Sequence, residues 1–500
     1  MPDLAAFERY RPIIDNWESF AEALSRPLPT CIWTNTLRLT PPELAEILAA
    51  EGLEFETLSW YPGGFSLPHD FKPGRHWAYL AGLYHVQEAV SMLPALLLQP
   101  KPGQRILDLC AAPGNKTAQL AVSMANRGTV VANDLNYTRM RAVRHALDRL
   151  GLVNVSITTI DGANYPKAAG HFDQVLADVP CSGEGTSRKD PMVLQRAGPE
   201  LARKQIGLQT ALLRKAVQRC QAGGLIVYAT CTFAPEENEM VVDEILREYG
   251  PTLVRIIPAR IKGLVSAAGL TGWNGHRFHP TLRHTMRVWP HQNDTGGFFI
   301  AVIEKQAGRP IETASRFVQD RERSAASEAN PLAVVYKFED LPTAQAALEL
   351  VRERFGIPAA SFVDHAAFER SRGRLYLVAR DHRPPVDPKP DGAGLLFVKS
   401  RIKYPKLSTA ASLAFGTRAT RNFIDLNRQQ VQAYIDRQDF QVPADQRVHC
   451  SGMGYVLVKY RGHVLGVALF SPDEAGDGGL VRSMFPKGWS PNKARLRAVD

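Results

Sequence analysis

Five hundred residues exceed one compact core, and 45% hydrophobic with 22% charged residues, 38 Gly and 35 Pro exclude a disordered, collagen-like or disulfide-dense chain. Sixty Lys and Arg against 50 Asp and Glu leave a net charge of +10, which favours a polyanionic partner without fixing the fold. Six cysteines at 31, 110, 181, 220, 231 and 450 include no C-x-x-C pair, so no metal site and no secreted disulfide framework is expected.

Met1 to Trp17 carries Asp3, Glu8, Arg9, Arg11 and Asp15, unlike a signal peptide. The longest apolar run, Ala89 to Leu98, is broken by Ser91 and Pro94 and falls short of the ~18 residues of a membrane span. The expectation is a soluble, cytoplasmic protein. Phe7 to Leu24 predicts a helix, Cys31 to Leu39 an extended segment, and Pro42 to Glu51 a helix with Leu44, Ile47 and Leu48 on one face.

From Arg105 onward, buried-strand runs alternate with helical segments. The runs start at Arg105, Thr129, Val155, Gln174 and Gly224; Lys116 to Met124 and Tyr137 to Leu150 are helical between them. This alternation predicts a doubly wound, mainly parallel α/β sheet, with Gly297 to Ile303 available to close it. Lys305 to Asn330 is charged and poor in large apolar residues, as a linker would be. Beyond it come an extended run at Ala333, a helix near Ala344 to Phe355, an extended run at Leu375, and two strands, from Gly454 and His463, joined by a hairpin.

The first strand runs into Asp108-Leu-Cys-Ala-Ala-Pro-Gly-Asn-Lys-Thr117. A phosphate-gripping loop needs glycines where Cys110 and Asn115 stand, and the dinucleotide fingerprint G-x-G-x-x-G is absent. Asp134, about twenty positions after Gly114 at the end of the second strand, suits the two hydroxyls of a ribose. Asp161 ends the third strand within reach of an adenine edge. A nucleoside without a pyrophosphate fits, with S-adenosyl-L-methionine the candidate; the alternative makes both aspartates helix N-caps.

Asp178-Val-Pro-Cys181-Ser-Gly-Glu-Gly-Thr ends the fourth strand, and Ala229-Thr-Cys231-Thr-Phe-Ala-Pro-Glu-Glu-Asn ends the fifth. A doubly wound sheet makes these ends neighbours, so two cysteines share one cleft. Core filling explains Cys31, Cys220 and Cys450 but not cysteines set in polar strand-end loops.

With the loop at Leu107–Thr117, these segments resemble the Nop/Sun family of RNA cytosine-5 methyltransferases across residues 30 to 305. Asn35-Thr-Leu-Arg38, Val86 to Pro94, Arg188-Lys-Asp-Pro191 and Arg287-Val-Trp-Pro-His291 support the resemblance. Asn115 departs from it, since a second glycine is usual there; because Asn tolerates left-handed backbone, cofactor binding is expected to survive.

The resemblance implies that Cys231 attacks cytosine C6, that Asp178 binds the polar edge of the base, and that Cys181 supports proton removal from C5 and release of Cys231. It implies that Lys116 orders the cofactor loop and the cysteine environment. The implied cofactor set is Cys110, Ala111, Ala112, Pro113, Gly114, Asn115, Lys116, Asp134, Arg139, Asp161 and Asp178, and Arg188 and Lys189 are expected on RNA phosphate.

Basic residues at 399, 401, 403, 406, 418, 421 and 428, then 482, 487, 493, 495 and 497, extend a phosphate-tracking face. From about 391 the chain resembles the PUA-like domain of RsmF-type enzymes. The expected division is therefore 1–75, an N-terminal RNA-binding extension; 76–305, a Rossmann-like methyltransferase domain; 306–330, a linker; 331–390, a small α+β domain; and 391–500, a PUA-like RNA-binding domain. The expected function is 5-methylcytosine formation in RNA, first in 16S ribosomal RNA or the 30S subunit and second in transfer RNA, by a monomer using neither metal nor membrane. A non-catalytic RNA-binding ribosome-assembly factor is the alternative from another class.

Overall fold

The computed structural model describes residues 4–195, 198–307, 340–371, 373–399, 406–474 and 478–490. The expected linker, from residue 308 onward, and the extended run at Ala333 lie outside the described residues. So do the basic positions 401, 403, 493, 495 and 497.

The central sheet is built on β1 (Arg105–Asp108), β2 (Thr129–Asn133), β3 (Val155–Thr158), β4 (Phe172–Asp178), β5 (Cys220–Thr230), β6 (Met286–Val288) and β7 (Phe298–Lys305). Their order is β6-β7-β5-β4-β1-β2-β3, with short strands Ala267–Ala268 and Gly392–Ala393 at the two edges. Strands β1 to β5 run parallel, and β7 inserts antiparallel beside β5 rather than closing an edge. Helices α1 (Asn115–Ser123) and α2 (Tyr137–Leu150) cover one face; α3 (Pro199–Arg219) and α4 (Glu239–Tyr249) cover the other.

Period two decides which residue meets which layer. Ile106 and Val130 pack with Ala118, Leu120, Val143 and Leu147, whereas their neighbours Leu107 and Val131 pack with Leu213, Val217, Val241 and Ile245. Burial on both faces explains why these strands read as near-continuous apolar runs. The winding reverses between β1 and β4, and a crevice opens there at the carboxyl ends of the strands.

The single helix expected over Phe7 to Leu24 is two elements. A 3-10 segment, Ala5–Ile13, ends past Pro12, and an α-helix, Trp17–Ser25, restarts where the Asn16 side chain accepts from the Ser19 amide at 2.9 Å. Both pack against the domain of the central sheet through Phe7, Tyr10, Phe20, Phe233 and Trp289. A four-stranded antiparallel sheet follows, with Thr30–Thr34 between Gly64–Leu67 and Tyr84–Val86. It shares one apolar cluster (Ile32, Leu44 and Trp77 with Ile424, Tyr434 and Val456) with a five-stranded C-terminal sheet.

The expected boundary at 391 is displaced. Leu395–Lys399 pairs antiparallel with Arg374–Ala379, so a four-stranded sheet crosses that position, and Gly392–Ala393 adds to the edge of β3. The expected hairpin is present: Gly454–Tyr460 pairs with His463–Pro472 around Arg461 and Gly462, both at positive φ.

Candidate active site

Gly114 stands at φ +104°, and a Cβ there would lie 2.9 Å from the Val143 Cα of α2, so the turn from β1 into α1 can approach α2 only as glycine. Asn115 does not take the left-handed role expected of it. It is the first residue of α1, and its Oδ1 lies 3.0 Å from His85 Nε2. Arg149 donates to His85 Nδ1 at 2.6 Å, which leaves the proton on Nε2 and makes Asn115 the acceptor. Burial, then the Arg149 charge, pushes His85 down to about 3, so this strut under the loop stays neutral.

A cleft of about 680 Å³ opens beside the loop, lined by Cys110, Ala112, Asp134, Arg139, Asp161 and Asp178 among others. Asp134 Oδ2 accepts from the Ala112 amide at 3.2 Å and faces Arg139 at 3.6 Å. Asp161 also satisfies the alternative reading, because its carboxylate caps the next 3-10 turn through Ala163 N. Leu135, Tyr137 and Leu208 line the same cleft while 71%, 66% and 41% exposed. Apolar faces left open beside two carboxylates suit an adenine ring and its ribose, so the donor set fits S-adenosyl-L-methionine. Pro113 and Asn115 instead line a second cleft across the loop, and Ala111 and Lys116 line a hollow of about 40 Å³ behind it.

Adjacent parallel strands bring the two cysteines together. Asp178 of β4 is in register with Ala229 of β5, and the thiols follow three and two residues later. Cys181 Sγ and Cys231 Sγ are 3.3 Å apart, and both line the large cleft. The Cys231 contact, then burial, holds the Cys181 thiol well above its ordinary value, so Cys181 carries its proton. Lys116 Nζ donates to Asp178 Oδ2 at 2.6 Å and to Ser91 Oγ at 2.8 Å. Burial lowers the Lys116 pKa, but the Asp178 carboxylate outweighs it and the net direction is up, so the ammonium stays charged beside the thiols.

Arg188 is a correction. Its side chain is fully buried and donates to the backbone carbonyls of Arg26, Pro27 and Thr295 and to Asp294, so it is a clamp rather than a phosphate contact. Lys189 is exposed. Residues the sequence reading gave no role include His85, Ser91, Tyr10, Glu184 and Thr232. Ser91, Glu184 and Thr232 stand inside the motifs that carry the resemblance, but no spacing ties them to a partner.

The reversal of strand order, the pyrophosphate-free nucleoside cleft and the paired thiols define a Rossmann-like methyltransferase. Residues 95–304 match the family model described as 16S rRNA methyltransferase RsmB/F, and residues 6–89 match that for the N-terminal domain of 16S rRNA methyltransferase RsmF. The chain is 36% identical over 301 residues to a tRNA (cytosine(49)-C(5))-methyltransferase of Pyrococcus abyssi, covering 60% of this chain and 94% of that one. It is 36% identical over 299 residues to ribosomal RNA small subunit methyltransferase F of Shewanella amazonensis, covering 58% and 61%. A solved methyltransferase homolog protein from Pyrococcus horikoshii matches with TM-score 0.52 and 34% identity over 58% of this chain and 90% of that one. The chain belongs to the family of RNA cytosine-C5 methyltransferases. It spans 36%, 35% and 61% of the lengths of the first three curated relatives it matches.

Proposed function

We propose that this protein makes 5-methylcytosine in RNA, with small-subunit ribosomal RNA as its substrate. The observation that carries the reading is the 3.3 Å thiol pair opening into the cofactor cleft beside Lys116 and Asp178. Cytosine C5 is a poor nucleophile, so a bond at C6 must come first. Cys231 Sγ, as thiolate, adds to C6; the C5–C6 electron pair moves into the ring, and N3 takes a proton. The ammonium of Lys116 cancels the charge of the Asp178 carboxylate beside the thiolate, so that the carboxylate does not oppose it. Asp178 Oδ1 accepts no hydrogen bond among the described residues, leaving it for the polar edge of the base.

When bound, S-adenosyl-L-methionine supplies the electrophilic methyl group that C5 acquires. Asp134 and Asp161 hold its nucleoside end, which sets the distance to the thiols lining the same cleft. Cys181, after passing its own proton to solvent, takes the C5 proton; the C–H electrons re-form the C5–C6 bond, the C6–S bond breaks to return Cys231 as thiolate, and N3 releases to solvent the proton it took.

Flanking nucleotides have a place beside the site. The second cleft, about 590 Å³, sets Arg141 and His145 with Tyr79 and Trp489, and among the described residues no carboxylate lines it. Exposed Lys399, Arg418, Arg421 and Arg428 in the C-terminal region extend this positive character in the reading. The match of residues 6–89 to the N-terminal domain model favours ribosomal RNA; the Pyrococcus abyssi relative keeps transfer RNA as the second reading. The reading puts the protein in the cytoplasm as a monomer, and among the described residues no helix is long and apolar enough to cross a membrane. Bisulfite sequencing of total RNA from a deletion strain tests it. One or more 16S cytidines should lose protection; loss confined to transfer RNA would transfer the assignment, and no loss in either would remove it.

A further inference from the structure

We infer that the N-terminal segment is a working part of the catalytic centre: Tyr10, acting through Glu184, sets the spacing of the loops that carry Cys181 and Cys231. The inference rests on reading those thiols as the reacting pair. Glu184 lies three residues past Cys181 on the β4 loop, is 2% exposed, and has no cationic partner among the described residues. Its carboxylate is satisfied by hydrogen bonds from two other segments. Thr232 Oγ1 and the Phe233 amide of the β5 loop donate to Oε2 at 3.1 and 3.3 Å. Tyr10 OH, 174 residues away in sequence, lies 3.0 and 2.9 Å from the two oxygens.

Around this carboxylate the two loops are cross-linked at each step. The one proton of Thr232 Oγ1 goes to Glu184, so Ser182 Oγ must donate to Thr232 Oγ1, at 2.6 Å. The Gly185 amide donates to the Cys231 carbonyl at 2.9 Å. Each cysteine is therefore flanked by a residue of this network, and Tyr10 is the only donor to Glu184 from outside the two loops among the described residues. A buried carboxylate is expensive to keep, and an apolar side chain would fill the space at lower cost. Its retention with a long-range phenol donor points to geometry. Tyr10 itself is fixed by ring contacts to Phe233 and Trp273, so the phenol arrives on a rigid support. Tyr10 touches neither base nor cofactor in this scheme; it and Glu184 are positioning residues.

The test uses the full chain and two independent readouts. Diamide oxidises adjacent thiols to a disulfide, taking up both hydrogens, so its rate of forming Cys181–Cys231 reports thiol spacing without RNA. Single-turnover methyl transfer reports the reaction. Tyr10→Phe, which keeps the ring and removes one O–H, should slow disulfide formation about fivefold and methyl transfer about tenfold, with cofactor Kd within about twofold. Glu184→Gln should match it, and the double variant should lose little more, because the pair acts as a unit. Asp15→Asn loosens the same N-terminal segment at its contact with His291 and Gln292, away from the thiols, and should leave both rates unchanged. Wild-type disulfide formation in Tyr10→Phe, or an equal fall in Asp15→Asn, overturns the inference. If Tyr10→Phe does not fold, the disulfide rate of Glu184→Gln decides in its place, a wild-type rate there overturning the inference equally. A disulfide result as expected in a protein that methylates no RNA keeps the spacing role and rejects the proposed reaction.

Discussion

The ion pair between Lys116 and Asp178 makes a prediction whose sign depends on net charge rather than on either residue alone. Their N–O separation is 2.6 Å, with side chains 11% and 27% exposed, so the pair presents nearly zero net charge to Cys231. Lys116→Met converts this to a single uncompensated carboxylate beside a thiol that must become anionic. At an effective dielectric of about 20, one charge at ion-pair range is worth on the order of 4 kcal/mol, and partial exposure of Asp178 reduces this to about 2 kcal/mol. The pH at which Cys231 becomes half-maximally reactive should therefore rise by about one to two units. Removing both charges, in Lys116→Met with Asp178→Asn, restores neutrality and should return the profile to within about half a unit of the wild type. Iodoacetamide labelling of Cys231 between pH 6 and 10, read by peptide mass spectrometry, measures this without RNA. A double variant displaced as far as Lys116→Met, or no displacement in the single variant, refutes the electrostatic account.

Four further outcomes are expected. Cys231→Ser should abolish methyl transfer while leaving cofactor affinity within about twofold, whereas Cys181→Ala should still add Cys231 to C6 and accumulate a protein–RNA adduct, seen as a slower band on a denaturing gel. Arg188→Ala should lower thermal stability without changing RNA affinity, because the guanidinium serves four internal acceptors; a weaker RNA complex with unchanged melting would restore the phosphate reading. Asp134→Ala should weaken cofactor binding by about 2 kcal/mol, some thirtyfold in Kd by calorimetry, since the ribose hydroxyls lose a charged acceptor held in place by the Ala112 amide. Burial pushes Asp108 up to about 7, so folded Asp108 holds a proton from about pH 4 to 7 that the unfolded chain has released. Stability should fall as pH rises through that window, by about 4 kcal/mol at most, and Asp108→Asn should flatten the fall in melting scans at pH 5 and 8.

The parts of the site legible in the sequence are those whose partners come from neighbouring strand ends. Cys181 and Cys231 are 50 residues apart in sequence, yet the parallel pairing of β4 with β5 follows from two apolar runs and forces the thiols together. Asp134 and Asp161 are legible for the same reason, each standing where a parallel strand ends at the crevice. The parallel, doubly wound character of the sheet, the turn at Gly114 and the helices α1 and α2 required no information beyond periodicity and punctuation, whereas the place of β7 inside the sheet was not announced. The long helix α3 and the short strand β6 left weaker signals, because the first half of α3 is mostly polar and β6 is only three residues long.

The misplaced residues fail in one common way: their partners are remote backbone groups or side chains that no local pattern announces. Arg188 reads as a surface cation because its sequence neighbours are polar, but three of its acceptors are main-chain carbonyls at 26, 27 and 295. Asn115 reads as a glycine substitute because the motif is local, whereas its role comes from His85, itself oriented by Arg149, two residues far from it in sequence. Tyr10 and Glu184 belong to the same class, and so does the displaced boundary at 391, where an added edge strand ties the C-terminal region to β3. Motifs in this protein thus mark the groups that face the cleft, while the groups that hold them at working distance are distributed over the N-terminal segment and the strand-end loops. Substitutions in that second set should change rates before they change affinity, because they alter the 3.3 Å thiol separation rather than the walls of the cofactor cleft.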